Sequence, residues 1–158
     1  MKKNFFLTAS LAIFFSLMFY SLPAQTTSGT VKGEISEAVK LWNTVCKAGN
    51  TNQLMSLYDN SENIMLVGSD SAEIWKGKDQ IKGHVTEVFA HTSFYWEMNR
   101  IDIDSNGDTA WAVVDGTMVI KTDTGETMKT PYRFTNIYVK RNGTWKLKIF
   151  HGSIPKAG

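Results

Sequence analysis

The chain has 158 residues, enough for one domain with a sizeable core, and its 20% charged and 12% aromatic content excludes a disordered polymer. The formal charge of +2 comes from Lys2 and Lys3, so loss of the first 24 residues leaves 15 basic and 15 acidic side chains, which excludes a basic nucleic-acid footprint. A single cysteine, Cys46, excludes an internal disulfide and reads as a small core residue.

Residues 1–24 have the plan of a secretory signal peptide. Lys2 and Lys3 are the positive start, Leu7 to Tyr20 the apolar run, and Leu22-Pro23-Ala24 the small-residue site before Gln25. An uncleaved anchor is the alternative, but the apolar run is short for a membrane span. The expected location is therefore outside the cytoplasm, periplasmic or secreted, with no membrane contact after cleavage. Residues 25–31 read as a flexible leader.

A first helix is predicted from Lys32 to Lys47, because Ile35, Val39, Trp42, Val45 and Cys46 recur at helical spacing. A second, Thr51 to Tyr58, carries Leu54, Leu57 and Tyr58. Asn63–Gly68 and Ala72–Trp75 read as a small hairpin around Ser69-Asp70-Ser71. A third helix, about Lys78 to His91, buries Ile81, Val85, Val88 and Phe89. Its His84 and His91 read as edge residues, because no acid at helical spacing completes a metal set. From Ser93 onward the chain reads as strand, with a bulge or bend near Asn99-Arg100 and a hairpin turn at Ser105-Asn106-Gly107-Asp108. Helices early and strands late argue an α+β domain.

Three consecutive runs, Thr109–His151, form the centre. Side chains two apart on a strand share a face. Trp111, Val113, Asp115 and Thr117 therefore go together, as do Arg133, Thr135, Ile137 and Val139, and Trp145, Leu147, Ile149 and His151. A three-residue loop at Asp123-Thr124-Gly125 sets Asp115 opposite Arg133 and Trp111 opposite Ile137. At Arg141-Asn142-Gly143 two registers compete. A three-residue loop sets Ile137 opposite Leu147 and Arg133 opposite His151, whereas a two-residue Asn-Gly turn sets Tyr138 opposite Leu147. Matching apolar to apolar favours the first. One face then has an apolar floor of Trp111, Val113, Ile137, Leu147 and Ile149, ending in a row of Asp115, Arg133 and His151. Lys146 and Lys148 read as a solvated face.

The order and spacing of several segments resemble the SnoaL-like members of the nuclear transport factor 2-like superfamily. They are the first helix with Trp42, Asn63-Ile64-Met65-Leu66-Val67-Gly68, Trp75-Lys76-Gly77-Lys78, Arg133-Phe134-Thr135, Asn142-Gly143-Thr144-Trp145-Lys146-Leu147 and His151-Gly152-Ser153. The similarity spans about residues 32–155. It implies a cone-shaped α+β barrel, in which a strongly curved mixed or antiparallel sheet wraps the N-terminal helices around a pocket. It also implies frequent dimerisation through the outer side of the sheet. With the Asp115 face inward, the outer residues would be Met118, Ile120, Tyr132, Phe134, Tyr138 and Phe150.

The expected function is binding of a small, largely apolar molecule. Its pocket would be lined by Trp42, Tyr58, Trp111, Val113 and Ile149, with Tyr95 and Met65 as further candidates, and would end in Asp115, Arg133 and His151. The rival is an acid–base enzyme, an isomerase, dehydratase or hydrolase using Asp115 beside Arg133 with His151 as the group that titrates near neutrality. A third reading is a dimeric interaction module whose cone is filled. No cofactor or metal is expected, and the sequence contains no phosphate-binding loop, dinucleotide fingerprint or nucleophile elbow.

Overall fold

A computed structural model describes residues 28–156; the signal-peptide expectation for residues 1–24 lies outside them. Helix α1 (Ser28–Ala48) starts earlier than the periodicity predicts and takes in the end of the expected leader. Val31 extends its buried stripe of Ile35, Val39, Trp42, Val45 and Cys46. After Gly49, in the left-handed region, Asn50 caps helix α2 (Thr51–Leu57) by accepting the Gln53 N–H. Strands β1 (Met65–Val67) and β2 (Ile74–Lys76) form the small hairpin, and helix α3 (Gly77–His91) follows. Four long strands complete the domain: β3 (Thr92–Asn106), β4 (Thr109–Thr122), β5 (Thr127–Arg141) and β6 (Thr144–Ser153).

The six strands form one mixed sheet in the order β2-β1-β6-β5-β4-β3, open at both edges. β1 runs parallel to β6, and every other pair is antiparallel. Helix α1 lies against β3, β4 and β6 on the concave side. Two register shifts bend the sheet, at Met98/Arg100 as expected and at Ile137/Tyr138. Gly116 lies at the first bend, where a Cβ would run into the Glu97 carbonyl. Asn43 of α1 clamps the same strand: its amide donates to the Trp96 carbonyl at 2.9 Å and accepts the Trp96 N–H at 2.8 Å.

The β4–β5 register is the predicted one, with Asp115 opposite Arg133 and Trp111 opposite Ile137. The β5–β6 register is not. Arg141 pairs with Thr144 around a two-residue Asn142-Gly143 turn, both residues having positive φ, 49° and 79°. Tyr138 therefore faces Leu147. Beyond it Lys148 is bulged out, Ile137 pairs with Ile149, and His151 faces Thr135 rather than Arg133. Apolar matching misleads here because a bulge restores it farther along the strand.

The larger correction is sidedness. The face turned to the helices carries Ala110, Ala112, Val114, Phe134, Tyr138 and Phe150, all buried. The face expected to be the inner floor, with Trp111, Val113, Ile137 and Ile149, is the outer one; Trp111 is 36% exposed. The reason is volume. Helix α1 brings Trp42 down onto the sheet, where it stacks on Trp96 at 4.6 Å and meets Phe150 at 5.1 Å and Phe134 at 5.3 Å. Small β4 residues leave room for that helix, whereas an inward Trp111 would not. Met118, Ile120, Tyr132, Phe134, Tyr138 and Phe150, expected to form a dimer surface, thus face the helices or the cavity inside.

Candidate functional site

A cavity of about 350 Å³ opens between the concave face of the sheet and the helices. Most of its wall is aromatic or aliphatic. Trp42 comes from α1, Tyr58 follows α2, and Phe94, Trp96 and Phe150 come from the sheet. Tyr58 and Cys46 belong to the wall, and burial pushes both groups above their ordinary pKa, so both stay neutral. The indole N–H groups of Trp42 and Trp96 are buried with no oxygen or nitrogen acceptor. The rings of Phe134 and Phe150 packed on them are the electron-rich surfaces at hand.

One edge of the cavity is polar and is built by four elements. The β1–β2 turn supplies Ser69 and Glu73, β2 supplies Trp75, α3 supplies His84, and β5 supplies Tyr132. Gly68 lets Glu73 fold back, because a Cβ there would collide with the Glu73 carboxylate. That carboxylate accepts the Asp70 N–H through Oε2 at 3.0 Å. The His84 ring stacks on Trp75 with centroids 3.5 Å apart and planes inclined by 14°. Burial lowers the imidazole pKa from its ordinary value, and the carboxylates of Glu73 and Glu87 work against that shift. Tyr132 crosses Gly152, where a Cβ would collide with its hydroxyl, to meet Ser69. Burial raises the phenol pKa, the Ser69 contact opposes this and Glu73 adds to it. This edge thus brings together the Glu73 carboxyl group, an imidazole whose burial favours the neutral form, and two hydroxyls.

The predicted site residues divide cleanly. Trp42 and Tyr58 line the cavity. Asp115 and Arg133 do pair, with Arg133 donating to Asp115 Oδ1 from Nε at 3.3 Å and from Nη2 at 3.2 Å. The pair sits on the outer face, however, 40% and 51% exposed respectively. His151 is exposed two β5 positions from Arg133. Trp111, Val113 and Ile149 share that face, so the expected pocket end of Asp115, Arg133 and His151 is corrected: none of these six lines the cavity. Neither Tyr95, which lies beneath the Lys47 ammonium, nor Met65 lines it. Glu73, His84 and Tyr132 escaped sequence reasoning. The signals for Glu73 and Tyr132 were the glycines at 68 and 152, which mark close approach in strand contexts, whereas His84 had none.

A second polar cluster lies at the far end of β6. Asp59 is buried, accepts from Ser61 at 2.6 Å and pairs with Arg141 at 3.2 Å and Lys148 at 3.4 Å. Lys148 also bonds Ser61 and Asn63. Rather than a solvated lysine, it is the bulged residue of β6 turned to hold the α2–β1 connection. The Ser61 hydrogen bond, then Arg141 and Lys148, hold the Asp59 carboxyl far below the usual carboxylate range, against the effect of burial. Among the described residues, no group of three or more His, Cys, Asp or Glu side chains could hold a metal ion.

Known structures place this geometry. A nuclear transport factor 2-like superfamily protein from Salmonella enterica serovar Typhimurium superposes with a TM-score of 0.73 at 20% identity, covering 82% of this chain and 94% of that one. A provisional dehydratase of the nuclear transport factor 2-like family from Streptomyces avermitilis gives 0.73 at 16% identity, covering 82% and 99%. A ketosteroid isomerase-like protein from Erwinia carotovora atroseptica gives 0.65 at 16% identity, covering 79% and 96%. These likenesses establish the fold. Among curated proteins, none matches the sequence. The SnoaL-like domain profile matches residues 35–157, from the first turns of α1 to the end of the sheet, and the chain belongs to that family.

Proposed function

We propose that this protein binds a small, largely apolar molecule in the cavity between sheet and helices. The observation that carries the reading is an aromatic-walled cavity of about 350 Å³ with Glu73, His84, Ser69 and Tyr132 together at one edge, the usual plan of a small-molecule site. Phenethyl alcohol, a neutral probe, tests it by NMR. It should shift the indole N–H signals of Trp42, Trp75 and Trp96, and Val88→Trp, which fills the cavity from α3, should abolish the shifts. Indole signals unmoved by the probe would remove the reading.

The protein acts, on this reading, as an exported homodimer. Export is supported by the signal-like residues 1–24, and sequencing of the mature N-terminus should begin at Gln25. Dimerisation through the outer sheet is supported by the apolar side chains of Trp111, Val113, Ile137 and Ile149, over which no other element packs among the described residues.

Acid–base turnover is the second reading, and one observation favours it: a neutral imidazole, His84, faces an apolar cavity near a carboxylate and a phenol. The general base would then be His84 rather than Asp115 or His151. Deuterium exchange from heavy water into the α-position of 2-tetralone, lost in His84→Gln, is the expected signature. No exchange above the buffer rate removes it.

A further inference from the structure

The cavity's polar edge has an electrostatic imbalance. Among the described residues that line the cavity, Glu73 is the one carboxylate and His84 the one imidazole, and there is no lysine or arginine. Asp59 is buried, and Glu73 and Asp115 are partly buried. Asp59 has Arg141 and Lys148, and Asp115 has Arg133. Among the described residues Glu73 forms no ion pair, and its one side-chain hydrogen bond is to the Asp70 N–H through Oε2. Its carboxylate occupies the space that a Cβ at residue 68 would take. His84 offers no compensating charge at neutral pH, because burial favours its uncharged form. A half-buried carboxylate without a counter-ion is costly unless something cationic completes it.

The remaining wall suits a cation as well. Trp42, Trp75, Phe94, Trp96, Tyr132 and Phe150 all contribute to it. Aromatic ring faces attract an ammonium group, more strongly when water is excluded. An anion would meet the Glu73 charge with no positive group to offset it.

Resting on the small-molecule reading above, we propose that the cavity selects an organic amine: a protonated ammonium head against the Glu73 carboxylate and an apolar body among the rings. Gly68 is a positioning residue for that carboxylate. A merely structural Glu73, fastening the Asp70–Glu73 turn, would show no preference among ligand charges.

Calorimetric titration with three matched probes decides this: phenethylamine, phenethyl alcohol and hydrocinnamate, which are cationic, neutral and anionic at neutral pH. The amine should bind at least tenfold more tightly than the alcohol, and the acid more weakly than either. Glu73→Gln should bring the amine down to the affinity that the same variant shows for the alcohol, and binding of the alcohol by that variant reports an intact cavity. Gly68→Ala, which keeps the charge but displaces it, should reduce the amine preference several-fold. An amine that binds no better than the alcohol, or a preference that survives Glu73→Gln, overturns the amine proposal and leaves the small-molecule reading standing. Failure of all three probes to bind overturns both.

Discussion

The two faces of the sheet are nearly matched in apolar content, yet they have opposite fates. On β4, Ala110, Ala112 and Val114 are fully buried, while Trp111 and Val113 between them face outward. On β5, Phe134 and Tyr138 are buried, while Ile137 is only half so. Hydrophobicity alone does not choose the inner face. The choice is made by the helix that must fit: α1 occupies the concave side with Trp42, so small residues sit beneath it and aromatic ones around it.

The sharpest way to break this comparison is to truncate one residue on each face. Phe134→Ala removes an inner ring that touches Trp42, Trp96 and Phe150, and should cost about 3–5 kcal/mol in chemical denaturation. Ile137→Asp, on the other face, should leave the monomer folded but halve the assembly, read as a fall in sedimentation coefficient. Equal destabilisation by the two changes would mean that the faces are not distinct. An unchanged sedimentation coefficient in Ile137→Asp would remove the outer face as a dimer surface.

Asp59 and Asp115 repeat the contrast among ion pairs. Asp59→Ala should cost roughly 3 kcal/mol, because it leaves Lys148, itself only 17% exposed, without its carboxylate. The pH dependence has a definite sign. The folded-state pKa of Asp59 is depressed, so its contribution is complete above the ordinary carboxylate value of about 4 and declines as pH falls below it. Urea midpoints of the wild type should therefore drop more steeply than those of Asp59→Asn below about pH 4. Parallel curves would show that the cluster adds nothing. A smaller effect is expected at Asn43: Asn43→Ala leaves the Trp96 N–H and carbonyl without partners, at about 1–3 kcal/mol.

Much of the fold was legible because it is written locally. Helical spacing from Ile35 to Cys46 marked α1, alternation marked β4 to β6, and Asp123-Thr124-Gly125 fixed the register that joins Asp115 to Arg133. Three things were not local. Sidedness depends on how α1 packs, which no strand pattern encodes. The Lys148 bulge depends on a buried acid some 89 residues away in sequence, Asp59, which reads as an ordinary loop residue. The polar edge of the cavity depends on two glycines and on distant contacts. His84 is an edge histidine by periodicity and becomes a cavity residue only when Trp75 stacks on it.

The smallest expected effect tests the feature that the sequence made most conspicuous. Asp115 and Arg133 are about half exposed and meet through one carboxylate oxygen, so water competes for both partners and salt screens the pair. Such pairs are worth at most about 1 kcal/mol. A double-mutant cycle of Asp115→Ala and Arg133→Ala in the monomer should give a coupling below that, falling further as salt is added. The same pair at a subunit contact would lose its water and gain weight. If a dimer forms over the outer face, the coupling measured through the dimer dissociation constant should exceed that measured through monomer unfolding. Equal couplings in the two measurements would place the pair at an exposed rim, and the apolar residues around Ile137 would carry the contact alone.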